Sequence, residues 1–294
     1  MNVRLICWPA ALASASLLIG CSVPTVWTEP REITHDWPAA TVTSLRIKTH
    51  NGNITFNGDD EQSHGVKAMV RGGGRNAETA ALALDAIETF VEADGKGGHR
   101  IGWRWREQKQ SSWRGRVDFE VDAPYSLSLV TESHNGKVVL DGIKEGLLAE
   151  THNGAITVKN AHGNVSLFSH NGKIDAVAGD GTLHCKTHNG PIDVQYTGTH
   201  VNISTHNGPI KARVMDADEV GGFLSSHNGS INLELPKGVS SQLRCSTHNG
   251  SIRCNEQMRA VRSTKRTLVG TLGEGGETIA LETHNGGISV SLAE

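Results

Sequence analysis

From residue 128 to the C-terminus, apolar residues recur at every second position over short runs, each broken by a turn and then resumed. The fixed point of every run is the tripeptide His-Asn-Gly, present nine times, with its histidines at 50, 134, 152, 170, 188, 206, 227, 248 and 284. Four residues after each His stands a β-branched apolar residue: Ile54, Val138, Ile156, Ile174, Ile192, Ile210, Ile231, Ile252 or Ile288. Six after, the residue is again mostly apolar (Phe56, Leu140, Val158, Val194, Leu233), while intervening positions such as Asp175, Asp193, Lys211 and Arg253 are polar. Before the His, apolar residues fall at minus five and minus three, and Ser or Thr always stands at minus one. Period two with one apolar face predicts a half-buried strand on each side of every turn.

The histidines from 134 to 206 are spaced by 18 residues, those at 227 and 248 by 21, and His284 follows after 36. The last step reads as two coils, one of them degenerate. Strand centres nine residues apart exclude a hexapeptide helix and predict an all-β fold, a flat two-sheet parallel β-solenoid of 18–21-residue coils. Its coils stack at about 4.8 Å. The longer repeats enlarge the second turn and leave His-Asn-Gly unchanged. Asn and Gly both tolerate positive φ, which is the expected reason for their place in the turn.

Residues 59–124 interrupt the repeat. The run 76–91, with Ala and Leu at helical spacing, predicts a helix of about four turns. The segment from His99 to Val121 reads as a hairpin with Trp103 and Trp105 on one face and Arg104 and Arg106 on the other. An open solenoid end needs a cap against edge-to-edge pairing. Residues 41–124 are therefore expected to form the first coil and a helix-and-hairpin cap, with 125–294 the solenoid proper. A sharper reading gives Trp103, Trp105 and Trp113 a membrane-surface or glycan contact.

The N-terminus has a different character. Residues 1–20 have a short start with Arg4, an apolar stretch and small residues, the shape of a secretory signal. Leu18-Ile19-Gly20-Cys21 resembles the bacterial lipobox, which implies lipidation of Cys21, a membrane partner through the acyl chains and, with Ser22 next, the outer membrane. Residues 21–40, with three prolines, are expected to be an extended tether. The net charge of −3 gives no reason to expect nucleic acid. Cys185, Cys245 and Cys254 remain in the mature chain. Cys245 and Cys254 lie nine residues apart, across the core of one coil, so a disulfide between them is possible if the coil is narrow there.

With these motifs in hand the chain resembles a bacterial β-solenoid family of unknown function known as "putative adhesin". The resemblance covers roughly 40–294. It rests on "VDFEVDAPYSLSLVTESHNGKV", the repeated T-x-N-G-x-I and the closing "GEGGETIALETHNGGISVSL". It implies the Ser/Thr, Asn, Gly and Ile columns, but does not require the His.

That leaves the histidines. His134, His152, His170, His188, His206, His227 and His248 should form an exposed ladder while the residue after each Gly varies freely. One reading is structural stacking along the turn. A second is chelation of Zn or Cu by neighbouring imidazoles. A third is a surface for an envelope glycan or an anionic partner, sensitive to pH. Asp175, Asp193 and Lys211 share an outward column loosely like that of a solenoid polysaccharide lyase, but an ion-pair ladder explains them better. No catalytic arrangement or cofactor motif stands out. The expectation is a lipid-anchored, adhesin-like, non-catalytic binding or structural module of the cell envelope. A metal-binding lipoprotein is the alternative, and a polysaccharide-active enzyme a remote one.

Overall fold

The structure is a computed structural model and describes residues 24–36, 42–59, 64–254 and 258–293. Two 13-stranded sheets face each other. One holds the strands that enter each His-Asn-Gly turn, the other those that leave it. In the entry sheet Leu147–Thr151 pairs in parallel with Ser128–Asn135 on one side and Val165–Ser169 on the other. In the exit sheet Ile174 stands opposite Ile156 and Ile192. The fold is thus the all-β, parallel two-sheet solenoid the alternation predicts.

The inward columns meet between the sheets. Ile54, Val138, Ile156, Ile174, Ile192, Ile210, Ile231 and Ile288 are all buried, while Ile252 on the last, three-residue exit strand is half-buried. Each full burial of such a side chain contributes about 1.5–3 kcal/mol, and one column supplies it on nearly every coil.

The stacking order departs from the chain order. Thr278–Thr283 lies between Gly221–Ser226 and Ser241–Thr247, and Ile288–Leu292 lies between Ile231–Leu235 and Ile252–Cys254. The C-terminal coil is therefore inserted before the His248 coil. The degenerate copy expected between His248 and His284 does not exist. In its place Thr267–Leu272 turns back antiparallel on Ser241–Thr247 and pairs with Arg259–Ser263, covering the end of the entry sheet.

The cap also differs from expectation. The helix stops at Asp85 (Ala77–Asp85), and Ile87–Ala93 is a strand. Asn76 caps the helix by accepting from the Thr79 amide at 2.9 Å, and Thr79 Oγ1 accepts from the Asn76 amide. His99 to Val121 is not one hairpin. Gly98–Trp105 extends the entry sheet beside Ser44–Asn51, with Ile87–Ala93 antiparallel at its edge. Arg114–Pro124 extends the exit sheet between Ile54–Asp59 and Gly65–Gly74. The insert thus lengthens both sheets and lets the helix close over them. Part of the expected tether is folded too, since Val26–Trp27 and Arg31–Asp36 pair antiparallel with Gly65–Gly74.

Candidate functional site

Three columns lock each turn to the one before it. The inward Ser or Thr before each His donates its hydroxyl to the turn glycine carbonyl of the coil stacked against it, except Thr49, which donates to the Val117 carbonyl. Examples are Thr187 to Gly172 and Thr205 to Gly190, both at 3.0 Å. The Asn amides form a second ladder, each Nδ2 donating to the previous Oδ1 at 2.7–2.8 Å, from Asn135 onto Asn51 through to Asn249 onto Asn285. The backbone N–H of Asn189 also donates to the His170 carbonyl at 2.8 Å.

Glycine serves this stacking in a way that the sequence reading misassigned. None of the nine turn glycines or asparagines has a positive φ. A Cβ on Gly136, Gly154, Gly172, Gly190, Gly208, Gly229, Gly250 or Gly286 would instead lie 1.7–2.2 Å from the carbonyl oxygen of the glycine stacked against it. Glycine is needed there because the backbones touch.

The His side chain takes no part in these contacts and projects outward. The rings stack in one ladder, His50, His134, His152, His170, His188, His206, His227, His284 and His248, with centroids 4.6–5.0 Å apart. His248 therefore stands at the end beside His284, not beside His227. From His188 to His248 the rings are parallel within 5°. His170 breaks the order, tilted 29° to His152 and 46° to His188, half-buried, with Nδ1 closed off from solvent and unbonded. Burial, then the charges of His152 and His188, hold the His170 imidazole below its ordinary pKa. His50 is lowered likewise, by burial and then by His134 and Lys109.

Beside the ladder runs a groove of 1690 Å³ on the outer face of the entry sheet. Its floor is the column two residues before each His, which includes Glu150, Phe168, Lys186, Ser204 and Ser225, and Trp103 and Trp105 stand at one end. Trp103 Nε1 donates to Thr49 Oγ1 at 3.2 Å, and Arg104, which also lines this end, is held by Glu88 and Glu92. Trp113 does not join them at the surface. It is buried with Ala83 and Ala86, with Trp105 packed against them.

Among the described residues no group of three or more His, Cys, Asp and Glu side chains could hold a metal ion. In this structure the parallel rings at His188, His206 and His227 stack with their centroids 4.7–4.9 Å apart. No disulfide joins Cys245 and Cys254 in this structure. Burial, with the nearby Cys254 second, pushes Cys245 up to about 12, and burial raises Cys185 further. The expected ion-pair ladder is also absent at Asp175, whose partner is Lys173, the residue just before its strand, at 2.7 Å. Arg213 and Glu234 do pair across coils, at 2.9 Å. Cys21 lies outside the described residues. No helix among the described residues is long and apolar enough to cross a membrane.

A chain of stacked coils held by Thr, Asn and Gly columns defines a β-solenoid class. The chain belongs to the family described as Toastrack DUF4097, which matches residues 19–291. No curated protein matches it. Solved structures similar to it include a "putative adhesin" from Bacteroides fragilis, at 12% identity over 88% of this chain and 97% of that one, TM-score 0.43. A "putative adhesin" from Parabacteroides distasonis is 10% identical over 90% and 97%, TM-score 0.46. A "putative lipid binding protein" from the same organism is 11% identical over 90% and 97%, TM-score 0.43. Likenesses this distant say nothing about what the chain binds.

Proposed function

We propose that this protein is a non-catalytic binding module of the bacterial cell envelope, tethered through a lipid on Cys21, and that its ligand lies along the groove beside the histidine ladder. The observation that carries the reading is the division of labour at the turn. Between stacked turns Ser/Thr and Asn supply the side-chain hydrogen bonds and Gly the close backbone approach, yet a His whose side chain adds ring stacking alone stands in all nine turns. Those rings wall a groove eight steps long, roughly 38 Å at about 4.8 Å per coil. A surface of that length and regularity suits an extended ligand better than a compact one.

The test is a binding screen of envelope glycans and lipid vesicles, read by tryptophan fluorescence of Trp103 and Trp105. The variant with His170, His188 and His206 all changed to Gln is measured alongside. A ligand that binds wild type and is lost in the folded variant supports the reading. Ligands that bind both equally contradict it. The anchor is tested separately: Cys21→Ser should release the protein from membranes or trap its precursor, and unchanged membrane association would exclude lipidation there.

A further inference from the structure

The floor of the groove is not uniform in charge. Glu132 and Glu150 line it toward the cap, together with Arg104 and with Lys48, which pairs with Glu132 at 2.7 Å, and Glu282 lines it toward the C-terminal end. Between them, four successive coils present no acid. Their floor residues are Phe168, Lys186, Ser204 and Ser225, and their wall is His170, His188, His206 and His227. The next outward column on the same strands is Ser166, His184, Asn202 and Phe223, again without a carboxylate. His184 stands edge-on to Phe168 at 5.2 Å.

We infer that this acid-free stretch takes a linear acidic polysaccharide, and that binding draws protons onto the ladder. The inference rests on the groove being the binding surface and names the ligand class. Unliganded, imidazoles about 5 Å apart oppose each other's protonation, and at His170 the charges of His152 and His188 add to burial, the larger cause, in lowering the pKa. A row of carboxylates laid along the rings removes that opposition and raises the imidazole pKa values in the complex. Each proton taken up then adds a charge-assisted contact. Lys186 places a cationic side chain on the floor of the stretch. The serine hydroxyls and the Phe168 ring suit sugar hydroxyls and C–H faces, which a bare phosphate chain lacks. Other charges facing the stretch are Glu150 and His152 on one side and Glu282 and His284 on the other. The carboxylates repel the ligand, so they mark the ends of the site.

Linkage fixes the sign. The bound-state imidazoles have the higher pKa, so affinity is greatest below the free-state values and falls as pH rises through the bound-state values. Calorimetry with a linear oligogalacturonate, one carboxylate per sugar, should show affinity roughly tenfold or more higher at pH 5.5 than at pH 7.5. Runs in two buffers of different ionisation enthalpy should show net proton uptake. A neutral maltooligosaccharide of equal length should bind far more weakly. Lys186→Gln, which leaves the ring stack untouched, should weaken the acidic chain several-fold and the neutral one little.

Equal binding of the neutral chain, or affinity independent of pH, would overturn the inference while leaving the groove reading intact. Binding of polyphosphate with no binding of oligogalacturonate would overturn the choice of polymer. Oligogalacturonate binding that survives both Lys186→Gln and the triple His→Gln change would contradict this site and the groove reading together.

Discussion

Replacing Gly190 by Ala separates two explanations of the turn. A Cβ at Gly190 would lie 2.2 Å from the Gly172 oxygen and 2.6 Å from its carbonyl carbon. The favourable separation for such a pair is about 3.5 Å, so the turns must part locally by roughly 1.3 Å. Overpacking of this kind costs about 1–3 kcal/mol. Parting the turns also stretches the Thr187 hydroxyl bond to Gly172 and the Asn189 amide bond to Asn171. Each is worth about 0.5–1.5 kcal/mol, so the total loss should be roughly 2–6 kcal/mol. Urea unfolding followed by far-UV circular dichroism measures it. Gly190→Asn is the discriminating partner, because Asn accepts positive φ readily. If the turn needed positive φ, Asn would be tolerated. With backbones in contact, Asn should cost as much as Ala, and a near wild-type Gly190→Asn would refute the close-contact argument.

Other outcomes follow from the same geometry. Asn189→Ala strips the acceptor from Asn207 and the donor from Asn171, and thermal unfolding should show a loss of about 1–2 kcal/mol. In the folded protein at pH 8, a thiol reagent should leave Cys185 and Cys245 unmodified. Cys254, half-buried, should react first, and the denatured, unreduced mature protein, without Cys7 and with Cys21 lipidated, should give three thiols, where one alone would mean a Cys245–Cys254 bridge. His50 and His170 titrate below the unfolded value of about 6.5, so the unfolded chain binds more protons there. Stability should be full above that value and fall as pH drops through the folded values. Melting temperatures at pH 7.5 and 5.5 measure the slope, which should be shallower in the His170, His188, His206→Gln variant.

Much of the fold was legible because one face is buried. Alternation through Ile192, Asp193 and Val194 specifies which side faces inward, and repetition at 18 residues gives the coil. What spacing cannot encode is the order in which coils stack. The 36-residue step from His248 to His284 fits a missing copy and a hairpin detour equally well, and only the pairing of Thr278–Thr283 with two partners decides. The overlong helix had a warning in Ile87, Thr89 and Val91, β-branched residues alternating at period two just beyond the Ala-rich turn. At the site, the outward His column was readable from Ser/Thr alternation. The reason for glycine was not, because φ and contact both select it and only the distance between neighbouring turns separates them. The groove was hidden as well, since its Trp103 and Trp105 end depends on where the insert rejoins the entry sheet.

The central claim is that Ser/Thr, Asn and Gly hold the coils while the histidines are free for a ligand. Its most direct test is the unfolding free energy, at pH 7.5, of the variant with His170, His188 and His206 changed together to Gln. His188 and His206 are exposed, where substitutions usually fall within about 0.5 kcal/mol each, and half-buried His170 has an Nδ1 with no hydrogen bond to lose, so the variant should stay within about 1.5 kcal/mol of wild type. A loss as large as that of Gly190→Ala would make the ladder part of the scaffold and contradict the account.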